Sequence, residues 1–264
     1  MGQSKNPSEN LQRSAEALAP ALSVVIPTYR EGAYLESCIR AVRGMHLSPG
    51  SLEIIVSDAE SPDGTQEIAH RLADRLVVCP ERGIAVGRNA GAAAARGSIL
   101  LFVDADTALE AEFGSRCIRA FEDPSLVAFT GVPKPGGGSW FARFVYHGTY
   151  VLVRVFHSVG IELFPGICVA YRTEAFRAVG GFREDLGISE DIDLSRRIAR
   201  LGRCLIDRHA HATVSTRRLE SHALSVVLFH ILNDIRYLVT GKSARSYPKS
   251  EETTTWSDIW KSFR

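Results

Sequence analysis

Ile99-Leu100-Leu101-Phe102-Val103-Asp104-Ala105-Asp106-Thr107 decides how this chain folds. An unbroken apolar run ends abruptly in two acids. Such a run, bounded by polar residues, reads as a strand buried on both faces of a parallel sheet. Side chains alternate along a strand, so Asp104 and Asp106 share a face if the backbone stays extended. Two carboxylates then stand at the carboxyl end of a central strand, where open α/β sheets take ligands. Close like charges call for a cation between them. A hard divalent ion, held by one or two carboxylates and a substrate diphosphate, suits the pair. D-x-D is a short motif, and the residues equally suit solvated aspartates in a turn, with Thr107 and Glu110 as a helix capping box.

Upstream, Leu22 to Ile26 reads as a first buried strand stopped by Pro27. Leu35, Cys38, Ile39 and Val42 recur at helical spacing, and Gly44 closes that helix. Leu52 to Val56 is the second strand, followed by the turn signal Ser61-Pro62-Asp63-Gly64. Ile68, Ala69 and Leu72 mark a helix, Leu76 to Cys79 a short strand, and Gly83 to Arg96 an Ala-rich helix. Downstream, Glu110 to Phe121 reads as a helix and Leu126 to Val132 as a strand. The alternation of strand and helix predicts a doubly wound, mainly parallel α/β sheet with right-handed crossovers. No G-x-G-x-x-G follows the first strand, which counts against an NAD site.

The chain has 264 residues, 45% of them hydrophobic, and a net charge of +1, so nothing global points to nucleic acid. The charge is unevenly placed: from Leu194 to Lys249, Lys and Arg outnumber Asp and Glu eleven to three. Five scattered cysteines form no metal spacing; Cys38, Cys79 and Cys117 sit among apolar neighbours and read as small core residues. That usage suits a reducing cytoplasm. Residues 1–21 lack an h-region and read as a flexible leader. Trp140 to Phe164 mixes Phe, Tyr and Val with Arg143, His147, Arg154 and His157, which suits either a helix in a membrane interface or a core helix on the sheet. Ala223 to Val239 is a second amphipathic stretch, broken by Asn233, Asp234 and Arg236. The polar tail from Gly241 carries Trp256, Ile259 and Trp260, which suit contact with a membrane or partner.

Four stretches line up: LSVVIPTYRE (Leu22–Glu31), SDAESPDGT (Ser57–Thr65), GIAVGRNAGAAAARGSILLFVDAD (Gly83–Asp106) and SEDIDLSRRIARLG (Ser189–Gly202). In this order and spacing they resemble the family 2 glycosyltransferases, which have the GT-A fold. The resemblance covers about Leu22 to Arg218. It implies an inverting enzyme that moves a sugar from a nucleoside diphosphate sugar to an acceptor hydroxyl. Pro27, Thr28, Tyr29 and Glu31 match the loop that holds the nucleoside. Asp58 matches the acid that reads the base, although Ser57 and Ala59 stand where a second acid is usual. Arg88 and Asn89 match residues near the ribose and diphosphate. Asp104 and Asp106 match the metal-binding pair, with Mg2+ or Mn2+ as the implied ion. Asp191 matches the catalytic base, with Glu190 beside it in the catalytic pair. Some relatives take a third metal ligand from a histidine near His209 and His211, and His211 is the candidate here; a satisfied histidine is the simpler reading. Arg217 and Arg218 replace the Q-x-x-R-W element of processive synthases, which argues for a single transfer; either arginine suits a bidentate contact to the diphosphate.

The chemistry is coherent beside the family. A departing diphosphate needs its growing charge neutralised, which a divalent ion does as a Lewis acid. An attacking hydroxyl needs a carboxylate within hydrogen-bond reach. Acids at a helix start are also favoured by the helix dipole, so the Glu190–Asp193 cluster has a purely structural reading too. The domain reading is a catalytic unit over residues 22–220, with a nucleotide-sugar half (22–132) and an acceptor half (133–220), then an amphipathic helix and tail (221–264). The basic, amphipathic second half suggests a lipid-linked or glycan acceptor at the cytoplasmic face of a membrane. The rivals are a sugar-phosphate nucleotidyltransferase, which would need a basic Gly-rich loop where this chain has PTYREG, and a non-catalytic nucleotide-binding scaffold.

Overall fold

The structure, a computed structural model, describes residues 19–244, and for 218–228 the backbone alone. The leader over residues 1–18, the tail with Trp256, Ile259 and Trp260, and the side chain of Arg218 lie outside the described residues.

Eight strands form one sheet: β1 (Leu22–Thr28), β2 (Leu52–Asp58), β3 (Arg75–Val78), β4 (Ile99–Val103), β5 (Thr107–Leu109), β6 (Leu126–Pro135), β7 (Cys168–Arg172) and β8 (Arg203–Val214). The helices are α1 (Leu35–Arg43), α2 (Thr65–Leu72), α3 (Ile84–Ala94), α4 (Phe113–Ala120), α5 (Trp140–Ser158), α6 (Thr173–Ala178), α7 (Glu190–Ile198) and α8 (Arg217–Thr240). The strand order is β3-β2-β1-β4-β7-β6-β8-β5. The first four strands in space are parallel, as the alternating pattern predicts. Beyond β4 the sheet is mixed: β7 runs antiparallel to β4 and β6, and β6 and β8 are parallel. The helix between β6 and β7 explains the departure. Of α5 only Ala142 is buried, so it does not cover the sheet as a crossover helix does.

Period-two alternation divides the core between the two faces of the sheet. Val24 and Ile26 pack with Leu35, Ile39, Phe113 and Phe129 on one face. Val25 points the other way, into a layer with Phe102, Tyr171, Phe176 and Phe182. The Phe102 ring meets Phe182 edge-on at 5.0 Å between centroids. Truncating such a buried ring costs about 3–5 kcal/mol. α3 lies close on β1 because Gly91 has no Cβ to meet Val25 Cγ1.

Two expectations at the central motif change. The backbone does not stay extended past Val103, because Thr107 N–H donates to Asp104 O at 3.0 Å and closes a turn. Asp104 and Asp106 are therefore corners of a turn, not alternate strand positions. Thr107 does not cap a helix: it opens β5, which pairs with β8, and α4 begins only at Phe113. β5 is three residues long and leaves no periodic trace in the sequence. The alternative of α5 as a core helix also falls, since Trp140, Phe144, Val151, Leu152 and Val155 face outward. Cys79 is half-buried, whereas Cys38 and Cys117 are core residues. All five cysteines are free thiols. The boundary expected at residue 220 falls inside α8.

Candidate active site

The turn after β4 is the centre of a row of alternating acids and guanidinium groups. At one end, Arg217 donates from Nη2 to both carboxylate oxygens of Glu31 at 2.7 Å, and from Nε to Asp106 Oδ2 at 3.1 Å. Its guanidinium lies 4.2 Å from the Tyr34 ring centre. Burial opposes the Arg217 charge, and Glu31 and Asp106 outweigh it, so its pKa rises. Arg217 is the first residue of α8, so that helix delivers it to the loop after β1 and the turn after β4 together.

Next in the row is Arg88 on α3, 3% exposed. It donates to Asp104 Oδ1 at 3.1 Å, Glu190 Oε1 at 2.6 Å and Gly166 O at 3.0 Å. Burial works against this charge too, and Asp104, Glu190 and Asp191 more than offset it. Gly166 then turns to the last acid: its N–H donates to Asp191 Oδ2 at 2.7 Å. A Cβ at Gly166 would lie 2.5 Å from Arg88 Nη2, so only glycine fits between them. Ile192 N–H holds the other oxygen of Asp191 at 2.8 Å. Burial, and after it the charge of Asp191, push the Glu190 carboxyl up to about 8, against the pull of Arg88. One guanidinium shared between two carboxylates does not offset the loss of water around Glu190.

The loop after β1 is tied to the end of β2 by Asp58, which is fully buried. It accepts from Thr28 Oγ1 at 2.8 Å, Ser61 N at 2.8 Å, Ser61 Oγ at 2.6 Å and Gln66 Nε2 at 2.9 Å. A carboxylate has about four acceptor sites, so the protein itself fills those of Asp58. Pro27 is buried in β1 beside Ser57. Tyr29 carries the Arg82 guanidinium 4.6 Å from its ring centre.

Two expected site residues are placed elsewhere. Asn89 faces the loop before α7, donating to Phe182 O at 2.9 Å and Glu184 Oε1 at 2.8 Å, and accepting from Phe182 N at 3.0 Å. It braces that loop and has no contact with the acidic row. His211 lies on β8 four residues before Ser215, whose N–H bonds Asp106 O at 3.2 Å. At about 3.3 Å per strand residue that is about 13 Å along the backbone. Among the described residues no three His, Cys, Asp or Glu side chains gather as a metal site. His211 Nδ1 is buried with no hydrogen-bond partner among the described residues.

Sequence reasoning missed Gly166, Arg82 and the bridging role of Arg88. Gly166 had no signal beyond a Pro-Gly pair, and Arg88 reaches Glu190 across 102 residues.

The row sets Glu31, Asp104, Asp106, Glu190 and Asp191 against Arg88 and Arg217. It has the chemistry of a site that holds an anionic ligand through a cation. The hard oxygens of Asp104 and Asp106 suit a divalent ion whose remaining ligands come from phosphate and water.

A parallel half-sheet whose central strand ends in paired aspartates, joined to a mixed half that supplies further acids, is the architecture of a GT-A glycosyltransferase. The mannosyltransferase PcManGT from Pyrobaculum calidifontis, solved with GDP-Man and Mn2+, superposes with a TM-score of 0.70 over 85% of this chain and 66% of its own, at 24% identity. The chain belongs to glycosyl transferase family 2, whose model matches residues 23–180. It is 30% identical to the glycosyltransferase AglE of Haloferax volcanii over 46% of this chain and 40% of that protein. It is 29% identical to the succinoglycan biosynthesis protein ExoA of Rhizobium meliloti over 72% of this chain and 61% of that one. The chain thus spans less than two thirds of each of these relatives.

Proposed function

We propose that the protein transfers a single hexose, with inversion, from a nucleoside diphosphate sugar to an acceptor hydroxyl. The observation that carries this is the link from Asp104 through Arg88 and Gly166 to Asp191, with Asp106 two residues on in the turn after β4. Asp104 and Asp106 would hold Mg2+ or Mn2+ against the diphosphate. Such an ion, when bound, neutralises charge on the departing diphosphate. Arg217 bonds Asp106 and Glu31, within reach of the same phosphates. Asp191 is half-exposed and takes the acceptor proton. Gly166 N–H and Ile192 N–H occupy one lone pair on each of its oxygens and fix their direction. Glu190 stays behind it, buried, and anchors Arg88.

The neighbour that binds GDP-Man makes GDP-mannose the first donor to try, with UDP-glucose second. For the acceptor, a cleft of about 410 Å³ between the end of β6 and α5 is lined by Pro133, Lys134, Arg143, Tyr146, His147 and Tyr150. Tyr146 Oη reaches Ser215 O at 3.3 Å, beside Asp106. Flat apolar faces rimmed by cations suit a glycan or lipid-linked sugar with an anionic group. α5 and α8 pack together and both turn apolar residues outward, which supports docking on a membrane surface. No helix among the described residues is long and apolar enough to cross a membrane.

Thermal denaturation with GDP or UDP, with and without Mn2+, tests the donor site. A ligand at a hundred times its dissociation constant adds about 2.7 kcal/mol of stability. A shift that needs Mn2+ and disappears in Asp106→Asn is expected. No nucleotide shift under any condition would overturn the donor-site reading.

A further inference from the structure

Ser189 is the residue before α7, where a serine ordinarily turns its hydroxyl to the helix and caps a free N–H. Here it makes no such bond. Its backbone is left-handed, with φ of 64°, a conformation non-glycine residues keep only where their surroundings over-determine it. Those surroundings come from α8. Asn233 Nδ2 donates to Ser189 Oγ at 2.7 Å, and Ser189 Oγ donates to Asp234 Oδ1 at 2.7 Å. Asn233 is fully buried and is itself fixed by Ala244 N–H at 2.7 Å. One turn on, Tyr237 Oη donates to Asp193 Oδ1 at 2.7 Å. Ile188, just ahead of the turn, packs with Phe229 and Ala244.

We propose that Asn233 and Asp234 are positioning residues for the base: they hold Ser189 in its left-handed conformation and so hold Asp191, two residues on, against Gly166 N–H. The proposal rests on the reading of Asp191 as the base. Asn233 and Tyr237 lie on the side of α8 opposite its outward apolar residues Ile231, Ile235 and Leu238, and Asp234 on the flank between them. Burial raises the Asp234 carboxyl to about 6, and the bond from Ser189 acts against that rise.

The test is steady-state release of GDP from GDP-mannose with Mn2+, water serving as the acceptor hydroxyl for the mannosyl group, with release of UDP from UDP-glucose as the alternative. Asn233→Ala and Asp234→Ala should lower kcat by roughly ten- to a hundredfold, the cost of a misplaced group. KM for the donor and the Mn2+-dependent thermal shift with GDP should stay within about twofold. Asp234→Asn keeps an acceptor for Ser189 and should recover most of the lost kcat. Ser189→Gly adopts the left-handed turn unaided, so adding Asp234→Ala to it should cost far less than in the native background. Amide exchange should quicken over residues 188–193 in both alanine variants, and also at Ala244 in Asn233→Ala, since the Asn233 side chain holds that N–H. Unchanged kcat in both alanine variants overturns the proposal, as does a kcat loss matched by equal loss of nucleotide binding. If Asp191→Asn turns over normally, the base assignment falls and this proposal falls with it. If Asp191→Asn is inactive while both alanine variants are normal, only the clamp falls.

Discussion

Arg88 Nη1 stands 2.6 Å from Glu190 Oε1, joining the helix after β3 to the helix that carries Asp191. Both groups are buried, and the same guanidinium also holds Asp104. Removing it strands the Asp104 carboxylate and leaves the buried Glu190 carboxyl without its partner. Arg88→Ala should therefore lose about 3–5 kcal/mol in urea denaturation, with part recovered by adding Glu190→Gln. A loss below about 1 kcal/mol would mean that the bridge carries little of the fold.

Glu190 gives the stability a pH dependence. Folded, it keeps its proton up to about pH 8 instead of the ordinary 4.5. The folded state binds more protons than the unfolded one across that window, so stability falls as pH rises through it. Glu190→Gln cannot ionise. Its Tm advantage over the native protein should widen from pH 5 to pH 8 and then level off. A gap that does not change with pH would contradict the cause.

Asp191→Asn keeps the shape of the proposed base and removes its basicity. It should lower kcat by about 10²–10⁴, the usual share of general-base catalysis, and leave donor KM nearly unchanged, while Tm falls modestly because one of the two backbone N–H groups on Asp191 loses its acceptor. Turnover near the native level would take the base elsewhere.

Gly166→Ala tests the narrowest point of the site. The added carbon meets Arg88 Nη1 at 2.6 Å and Nη2 at 2.5 Å, and the guanidinium is held by three partners. Overpacking of this kind costs about 1–3 kcal/mol. Turnover should also fall, because Gly166 N–H is bonded to Asp191. A variant with native stability and kcat would mean that the backbone yields here.

Phe144 and Val155 are 67% and 55% exposed on α5. Phe144→Glu with Val155→Glu should leave Tm unchanged, since neither side chain supports the core. It should abolish flotation with anionic phospholipid vesicles if α5 lies in a membrane interface. Native protein that never floats would remove the membrane from the proposal.

The parallel half of the fold was readable because β4 is an unbroken apolar run and β1 and β2 are short, β-branched runs, separated by helical spacing. Asp104, Asp106, Asp191 and Arg88 were readable as residues, since each falls in a recognisable stretch. Their pairings were not. Arg88 meets Glu190, and Arg217 meets Glu31, across more than a hundred positions, and no local pattern encodes such a contact. Asn89 adjoins Arg88 on α3, yet its bonds run to Phe182 and Glu184, which no local pattern encodes. Asn233 and Asp234 registered only as breaks in an apolar stretch. What looked like an interruption is the inner face of α8.

The pairing of β4 with β7 reaches into the site itself. Asp104 N–H bonds Ile167 O at 3.1 Å, and the next residue back, Gly166, bonds Asp191. One ladder rung and one peptide unit thus separate Asp104 from the partner of Asp191. Under the proposed function, the gap between leaving group and attacking hydroxyl would be gauged by strand register, which shifts only in whole residues. The loops around it can lengthen, shorten and change chemistry to admit new acceptors without resetting that gauge.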